Sequence, residues 1–299
     1  MIRISVIVVT YNSETHIRKC LDSFLNEMRH DWEVLVIDNA SVDDTRRILQ
    51  GYSQRIRLMV NEHNRGYAAA INQGIRAATG EFLLVLNADI ILEKGFLEEA
   101  VRIVAQLPHY VGMVCPKILK VCGKIIDSTG LILTSMRRFY DRGSGEVDKG
   151  QFDAKQENVF GPCAAAALYR KAMLDQLKMG EEYFDADFFM ILEDFDVAWR
   201  AKRSGWGAMY VPELVCYHHG GISRHWSSLA QYYAFRNRYL LLLKNEKKSN
   251  VWRLFLFAFV YDFPRFIFLL CSNKYTMQAV RELILLAPHM LQKRKNTTL

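Results

Sequence analysis

None of the six cysteines forms a C-x-x-C pair; Cys20, Cys115, Cys122, Cys163, Cys216 and Cys271 are scattered along the 299 residues. That spacing gives no support to structural zinc or thioredoxin-type redox chemistry. The cysteines read as small buried apolar residues of a reducing compartment. No uncharged apolar run reaches membrane-spanning length. Met1 leads directly into a strand-like run with no cationic segment and apolar stretch after it, so no secretory signal is expected and the cytoplasm is the expected compartment. No G-x-G-x-x-G follows the first strand, which weighs against a dinucleotide oxidoreductase or nucleotidyltransferase. Internal repeats and low-complexity tracts are lacking too.

What is present is ordinary globular material, 51% hydrophobic and 24% charged, long enough to bury a large core without staples. The net charge of +7 is unevenly spread. Residues 200–299 carry 16 Lys/Arg against 4 Asp/Glu, and residues 1–199 carry 23 against 28. This asymmetry suggests an acidic working region and a basic C-terminal region that meets something anionic.

Hydrophobic periodicity predicts alternating elements. The β-branched run Ile2 to Thr10 is a buried strand, and Glu14 to Met28 has the spacing of a helix capped by Ser13. Further strands are expected at Glu33 to Ile37, Ile56 to Val60 and Phe82 to Leu86, with helices from about Asp43 to Gly51 and from Gly66 to Thr79 between them. Such alternation is the mark of a doubly wound parallel sheet, whose ligands bind outside the carboxyl ends of the strands. Polar residues collect at those ends: Thr10-Tyr11-Asn12, Asp38-Asn39, Asn61 to Asn64, and Asn87-Ala88-Asp89. Beyond them the reading is a helix at Leu97 to Gln106, a strand at Gly112 to Ile118, hairpins or loops over 120–158, and a small-residue stretch, Gly161 to Tyr169, leading to a helix from Arg170. Tyr183 to Phe189 is loop-like, Glu193 to Ser204 a helix and Ala208 to Val211 a short strand. His218-His219 falls in a loop, Leu229 to Lys244 is a helix, and 250–299 is a helical extension.

Each polar cluster has a chemical reading and a plain one. Asp38 beside Thr10-Tyr11-Asn12 can accept the imide N–H of a pyrimidine while Tyr11 covers the ring; alone, each residue is an ordinary turn former. Gly66 with Ala68, Ala69 and Ala70 lets a ribose or phosphate approach the backbone, with Arg65 in reach of a phosphate; the same small residues suit close helix packing. Asp89 can hold a divalent cation bridging a diphosphate, or simply form a turn. Glu193-Asp194-Phe195-Asp196 exceeds what a helix start needs for dipole reasons, and a positioned carboxylate there suits general-base deprotonation of a hydroxyl. His218-His219 beside paired glycines is a candidate metal or phosphate contact.

Taken in order, these strings resemble the family 2 glycosyltransferases, inverting enzymes of the GT-A fold that use nucleotide-sugars. The matching segments are Ser-Val-Ile-Val-Val-Thr-Tyr-Asn at 5–12, Val-Ile-Asp-Asn-Ala-Ser-Val-Asp-Asp at 36–44, Asn-Arg-Gly-Tyr-Ala-Ala-Ala-Ile-Asn at 64–72 and Leu-Asn-Ala-Asp at 86–89. Gly161 onward, Glu-Asp-Phe-Asp at 193–196, Trp199-Arg200, Gly205, Pro212, His218-His219 and Ser223 complete the match over residues 3–240. Asn64 to Ala69 and Arg236-Asn237-Arg238 resemble the bacterial rhamnosyltransferase-like branch.

The resemblance implies an α/β fold: a GT-A-type, doubly wound, mostly parallel sheet in residues 1–240, followed by a basic, aromatic-rich helical extension, 241–299. It implies that Thr10, Tyr11, Asn12 and Asp38 hold the nucleoside of a dTDP- or UDP-sugar, with Arg65, Ala69, Asn72 and Asn87 toward ribose and phosphate. Asp89 matches the last carboxylate of the family's D-x-D motif, so Mg²⁺ or Mn²⁺ would rest on Asp89 with His218; Asn87 stands where the first carboxylate is expected. Asp194 matches the base, with Glu193 beside it, and Gly161 to Ala165 would wall the acceptor side. The implied reaction moves a sugar, with rhamnose indicated by the branch, to a hydroxyl of a growing, lipid-linked or free surface glycan. A rival of another class is a catalytically silent nucleotide-sugar-binding or scaffold subunit. Val251 to Cys271 is apolar and aromatic but interrupted by Arg253, Asp262, Pro264 and Arg265. Pro264 should kink or split it. With Lys244, Lys247 and Lys248 before it and Lys293, Arg294 and Lys295 after it, it reads as a peripheral contact with the inner face of the membrane; the competing reading is a helical hairpin packed on the domain or on a second copy in a homodimer. Nucleic acid is not an expected partner.

Overall fold

A computed structural model describes residues 2–29, 32–153, 159–220, 227–247, 250 and 261–296. The first half alternates as the periodicity requires: β1 (Ile4–Thr10), α1 (Ile17–Leu25), β2 (Glu33–Asp38), α2 (Thr45–Gln50), β3 (Arg57–Val60), α3 (Tyr67–Ala77) and β4 (Phe82–Asn87). Then come β5 (Ile90–Leu92), α4 (Phe96–Gln106), β6 (Val111–Lys120), β7 (Ile126–Ser128), β8 (Leu131–Leu133) and β9 (Phe139–Asp141). The second half holds β10 (Ala166–Arg170), α5 (Lys171–Leu177), a 3₁₀ turn (Ala186–Phe188), α6 (Glu193–Arg203), β11 (Gly207–His218), α7 (Ser228–Asn245), α8 (Phe263–Ser272) and α9 (Thr276–Asn296).

The main sheet runs β3-β2-β1-β4-β10-β6-β11-β5, with β7 added to β6. Strands β3, β2, β1 and β4 are mutually parallel, as are β6 and β11. The small-residue stretch before Arg170 is not only a lead into a helix: it forms β10, antiparallel to β4 and β6 and inserted between them. Ala166 and Ala167 are wholly buried there, since helices cover both faces at this point. Alternation within β1 shows the two layers: Ile4, Val6 and Val8 pack with α1 and α4, whereas Ile7 and Val9 pack with α3, α5 and α6. Ser13 does not cap α1; its hydroxyl donates to the Tyr11 carbonyl, and the helix begins at Ile17.

Strand register builds the site. Thr10 pairs with Asp38 and Val9 with Asn87, so three polar strand ends stand side by side. His218 is the last residue of β11, not a loop residue, and pairs with Ile90, which brings it beside Asp89.

The expected boundary at 240/241 falls inside α7, and the core crosses it. Leu240, Leu241 and Met290 share a cluster with Leu131, Phe195 and Trp199. Pro264 lies in the first turn of α8, where its missing N–H costs nothing; the expected kink or split concerns its junction with 251–260. The stretch 251–260, Gly221 and Ser223 lie outside the described residues. The basic C-terminal charge is spent partly inside the protein: Lys244 is fully buried between Asp185 (2.7 Å) and Asp196 (2.8 Å), and Lys293 meets Asp185 (2.5 Å) and Asp187 (3.0 Å). Those two cations therefore do not serve an external anion. No helix among the described residues is long and apolar enough to cross a membrane.

Candidate active site

At the ends of β1 and β2, Asp38 is fully buried. Its Oδ2 accepts from Arg46 Nε (2.7 Å) and from the Ser41 amide (3.2 Å). Its Oδ1, like the Thr10 hydroxyl, finds no hydrogen-bond partner among the described residues. Buried polar atoms are ordinarily partnered, so this pair fits a ligand donor. Tyr11 stands 39% exposed at the same edge. Asn12 has φ 49° and holds the 41–42 turn: its amide N–H donates to Ser41 Oγ and its Oδ1 accepts from the Val42 N–H, each at 2.9 Å. Its side chain is that of a turn former. Arg46, eight residues beyond Asp38, had no signal in the sequence.

The 61–66 loop is fastened by an amide network. Asn39 donates to Asn64 Oδ1 (2.9 Å) and to the Gly66 carbonyl (3.2 Å), Asn61 donates to Asn39 Oδ1 (3.0 Å), and Gln73 donates to Asn61 Oδ1 (2.9 Å). This leaves Arg65 exposed, while Ala69 is half-buried between Ala68 and Ala70, which pack on the sheet. Gly66 has φ 82°, and a Cβ there would lie 2.6 Å from the Phe189 ring, so only glycine fits. Asn72 departs from the expected role toward ribose. It is buried, its Nδ2 donates to the Phe184 carbonyl (2.7 Å), and its Oδ1 accepts from the Tyr183 and Phe184 N–H groups. Its amide is spent on backbone that would otherwise be unsatisfied.

Asp89 and His218 do come together, with Oδ1 to Nε2 at 3.3 Å. The other ring nitrogen, Nδ1, lies 2.7 Å from Asp127 Oδ2. Asp127 escaped the sequence reading because it sits in β7, 91 residues from His218, inside a stretch without periodicity. Burial opposes a charged imidazole, but Asp127 and Asp89 outweigh it and push His218 up to about 10. The donor set of one carboxylate and one imidazole suits Mg²⁺ or Mn²⁺, and a cation would displace the proton from the imidazole nitrogen that faces Asp89. Among the described residues no cluster of three or more His, Cys, Asp or Glu could hold a metal, so the remaining positions would fall to ligand oxygens and water. Asn87, next along β4, is half-buried with its N–H donated to the Ala165 carbonyl (2.9 Å). His219 lies against His16, ring centroids 4.7 Å apart and tilted by 40°, and burial is the first cause that lowers its pKa.

The acidic start of α6 divides into two roles. Asp196 is fully buried, paired with Arg200 (2.9 Å) and Lys244, and accepts from Asn245 (2.8 Å); it is structural. Asp194 is half-buried: Oδ2 accepts from the Ala164 N–H (3.2 Å) and Oδ1 from the Phe195 N–H (2.8 Å). Burial raises its pKa to about 6, against the pull of those backbone donors. Glu193 is buried with one carboxylate oxygen unpartnered among the described residues; burial first, then the Asp194 charge, pushes it to about 8. A further carboxylate, Asp141 at the end of β9, accepts from Ser128 Oγ (2.6 Å) and is raised to about 7 by burial, with Asp194 and Asp127 adding to it. The Tyr67 hydroxyl donates to the Ala164 carbonyl (2.8 Å). Its phenol stays protonated chiefly through burial. The Ala164–Ala165 backbone joins the two pairs, since the Ala164 N–H donates to Asp194 and the Ala165 carbonyl accepts from the N–H of Asn87, two residues before Asp89. Gly161, in the expected acceptor wall, lies so close to α6 that a Cβ would meet Ala198 at 2.4 Å.

The family model "Glycosyl transferase family 2" matches residues 5–178, more than half of the chain. Among curated proteins, the chain is 25% identical over 217 residues to the poly(ribitol-phosphate) beta-N-acetylglucosaminyltransferase TarS of Staphylococcus aureus, covering 69% of this chain and 36% of that one. It is 26% identical over 229 residues to the dolichyl N-acetyl-alpha-D-glucosaminyl phosphate 3-beta-D-2,3-diacetamido-2,3-dideoxy-beta-D-glucuronosyltransferase of Methanococcus voltae, covering 71% and 65%. The chain thus spans from about a third to about two thirds of the length of these relatives. In fold it is similar to the crystal structure of S. aureus TarS (TM-score 0.61, 20% identity, 99% of this chain and 53% of that one). It is also similar to the mannosyltransferase PcManGT from Pyrobaculum calidifontis in complex with GDP-Man and Mn²⁺ (TM-score 0.56, 19% identity, 99% and 74%).

Proposed function

The chain belongs to glycosyl transferase family 2, and on that premise we propose that it transfers a sugar from a nucleotide-sugar to a hydroxyl of a growing cell-surface glycan, with inversion at the anomeric carbon. The observation that carries this reading is the Glu193–Asp194 pair, two buried carboxylates joined through the Ala164–Ala165 backbone to the strand end that bears Asp89 and His218. Asp194, with a pKa near 6, is ionised at neutral pH yet basic enough to draw the proton from an acceptor hydroxyl as it attacks. Glu193, at about 8, keeps its proton at neutral pH and leaves Asp194 as the single charge. The unpartnered Asp38 Oδ1 and Thr10 hydroxyl suit the imide of uracil or thymine, which favours a UDP- or dTDP-sugar. A Mg²⁺ or Mn²⁺ held by Asp89 and His218 would supply the positive charge that lets the nucleoside diphosphate depart. Mn²⁺ with GDP-Man in PcManGT lends support to a divalent cation, and UDP-GlcNAc in a TarS structure lends support to a uridine nucleotide. The rhamnosyltransferase-like segments make rhamnose the sugar to test first.

Peripheral membrane contact fits the exposed apolar side chains of α8 and α9, among them Phe268 (64%), Ile284 (67%) and Leu285 (66%), with Lys274 and Arg281 exposed near them. Flotation with anionic liposomes, lost in the Phe268→Ser/Ile284→Ser double variant, is the expected result; failure of the unaltered chain to float removes the membrane contact.

Thermal shift against dTDP-, UDP- and GDP-sugars with Mn²⁺, followed by a donor-turnover assay, tests the function. Stabilisation by a pyrimidine nucleotide-sugar together with turnover is expected. Binding without transfer or hydrolysis would instead favour a silent subunit, a reading to which Asn87 in place of a carboxylate lends support.

A further inference from the structure

The backbone that delivers the Glu193–Asp194 pair is held in a conformation its own residues disfavour. Phe189 (φ 63°), Ile191 (φ 70°) and Leu192 (φ 71°) all have left-handed φ, in a stretch of four residues without glycine. Bulky and β-branched side chains rarely adopt this region, and they persist in it only where surrounding structure imposes it, which happens most often at functional sites. Leu192 is the residue that enters α6, so the strain sits directly before the two carboxylates.

The imposing structure comes from α7. Asn237 is completely buried, and its Nδ2 lies 2.9 Å from the Phe188 carbonyl, 2.7 Å from that of Met190 and 2.6 Å from that of Ile191. A site lined by three carbonyl oxygens accepts only a donor, so the carboxamide nitrogen must face them. That orientation is locked by Arg236, whose Nε donates to Asn237 Oδ1 (3.0 Å) while its Nη2 donates to the carbonyls of Asp187 (2.7 Å) and Phe188 (3.1 Å). Arg236 is in turn held by Glu282 of α9 at 2.5 Å. The same helix reaches the segment again through His289 and Lys293, 2.8 and 3.0 Å from Asp187. From the opposite side the Ala68 N–H donates to the Phe189 carbonyl at 3.1 Å.

We infer that Asn237, oriented by Arg236 and through it by Glu282 on the C-terminal helix, is a positioning residue for the base: it imposes the left-handed turns that aim Asp194 at the acceptor. The inference rests on the reading of Asp194 as the base. It makes α9 part of the catalytic mount, although the helix lies beyond the region matched by the family model.

The test is Asn237→Asp in the full chain, an isosteric change that turns an oxygen toward the carbonyls. The expected result is a fall in kcat of about 10²-fold, the scale of a misplacement of about 1 Å, with donor KM within about twofold of the unaltered enzyme and a displaced acid limb of the kcat–pH profile. Glu282→Gln, on a half-exposed residue, supplies a second variant: it should lower kcat by a smaller factor at the same KM. Normal kcat and an unmoved pH profile in folded Asn237→Asp overturn the inference, whatever its melting temperature. Should that variant fail to fold, kcat of Glu282→Gln equal to the unaltered enzyme overturns it. Asp194→Asn run alongside separates the two levels: if it still transfers sugar, the base reading falls and the inference with it; if it is inert while Asn237→Asp is normal, only the inference falls.

Discussion

The strand ends that would meet the donor and the backbone that mounts the base treat their polar groups in opposite ways. At the β1–β2 end, a buried carboxylate oxygen of Asp38 and the Thr10 hydroxyl meet no donor or acceptor from the described residues. At the α6 end, the carbonyls of Asp187, Phe188, Met190 and Ile191 are all taken up by Arg236 and Asn237. A binding surface must leave hydrogen-bonding capacity for its ligand. A catalytic group must be fixed before the ligand arrives, and that requires its mount to be fully partnered. The first end is built from residues near one another in the chain or on neighbouring strands. The second is assembled from α6, α7 and α9, far apart in sequence.

The largest expected effect breaks this comparison at the α6 end. Asp194→Asn should reduce transfer by about 10²–10⁴-fold while nucleotide binding, measured by titration calorimetry, stays intact because the donor end is untouched. In the unaltered enzyme activity should rise with pH through about 6, as Asp194 loses its proton. Equal losses of binding and transfer would mean that the two ends are not separable. A smaller effect is expected at the junction of the two ends. Asp127→Asn removes the carboxylate that orients His218, and Mn²⁺ affinity, followed by electron paramagnetic resonance, should fall by about 10–100-fold. An unchanged affinity would leave the Asp127–His218–Asp89 chain as a purely structural ion pair.

The smallest effect is on stability. Glu193 has a pKa of about 8 in the folded protein against an ordinary value of 4.5. The folded state therefore keeps a proton that the unfolded chain has released, and stability falls as pH rises across that window. Glu193→Gln is neutral at every pH, so relative to the unaltered enzyme it should gain stability between pH 5 and pH 8, by about 1 kcal/mol or more and a Tm rise of about 2 °C or more. A Tm difference that does not change with pH would show that burial does not hold Glu193 protonated.

Much of the donor end was legible because it is written locally. The β-branched run of β1 and the polar residues after it specify a strand end, and parallel pairing then puts Thr10 beside Asp38 without further information. Asp89 and His218 were legible as residue types, but their 3.3 Å approach depended on the antiparallel pairing of β5 with β11, and β5 is only three residues long. Asn72 misled because a polar residue on a helix facing the expected site looks the same in sequence whether it meets a ligand or the 183–184 backbone. The terminal cations misled similarly: Lys244 and Lys293 were visible as charge, yet their partners Asp185, Asp187 and Asp196 lie in a segment that reads as loop and helix start.

Taken alone, the sequence determined the alternation of strands and helices, the polar strand ends, the acidic start of α6 and the resemblance that joined them, because periodicity and turn chemistry act between near neighbours. The tertiary structure alone decided that β10 enters the sheet antiparallel, that Asp127 meets His218 and Asp141 meets Ser128, and that Arg236 and Asn237 grip the turn before Asp194. Each of these depends on which distant surfaces pack together, and the hydrogen bonds that follow belong to that packing and to no local pattern.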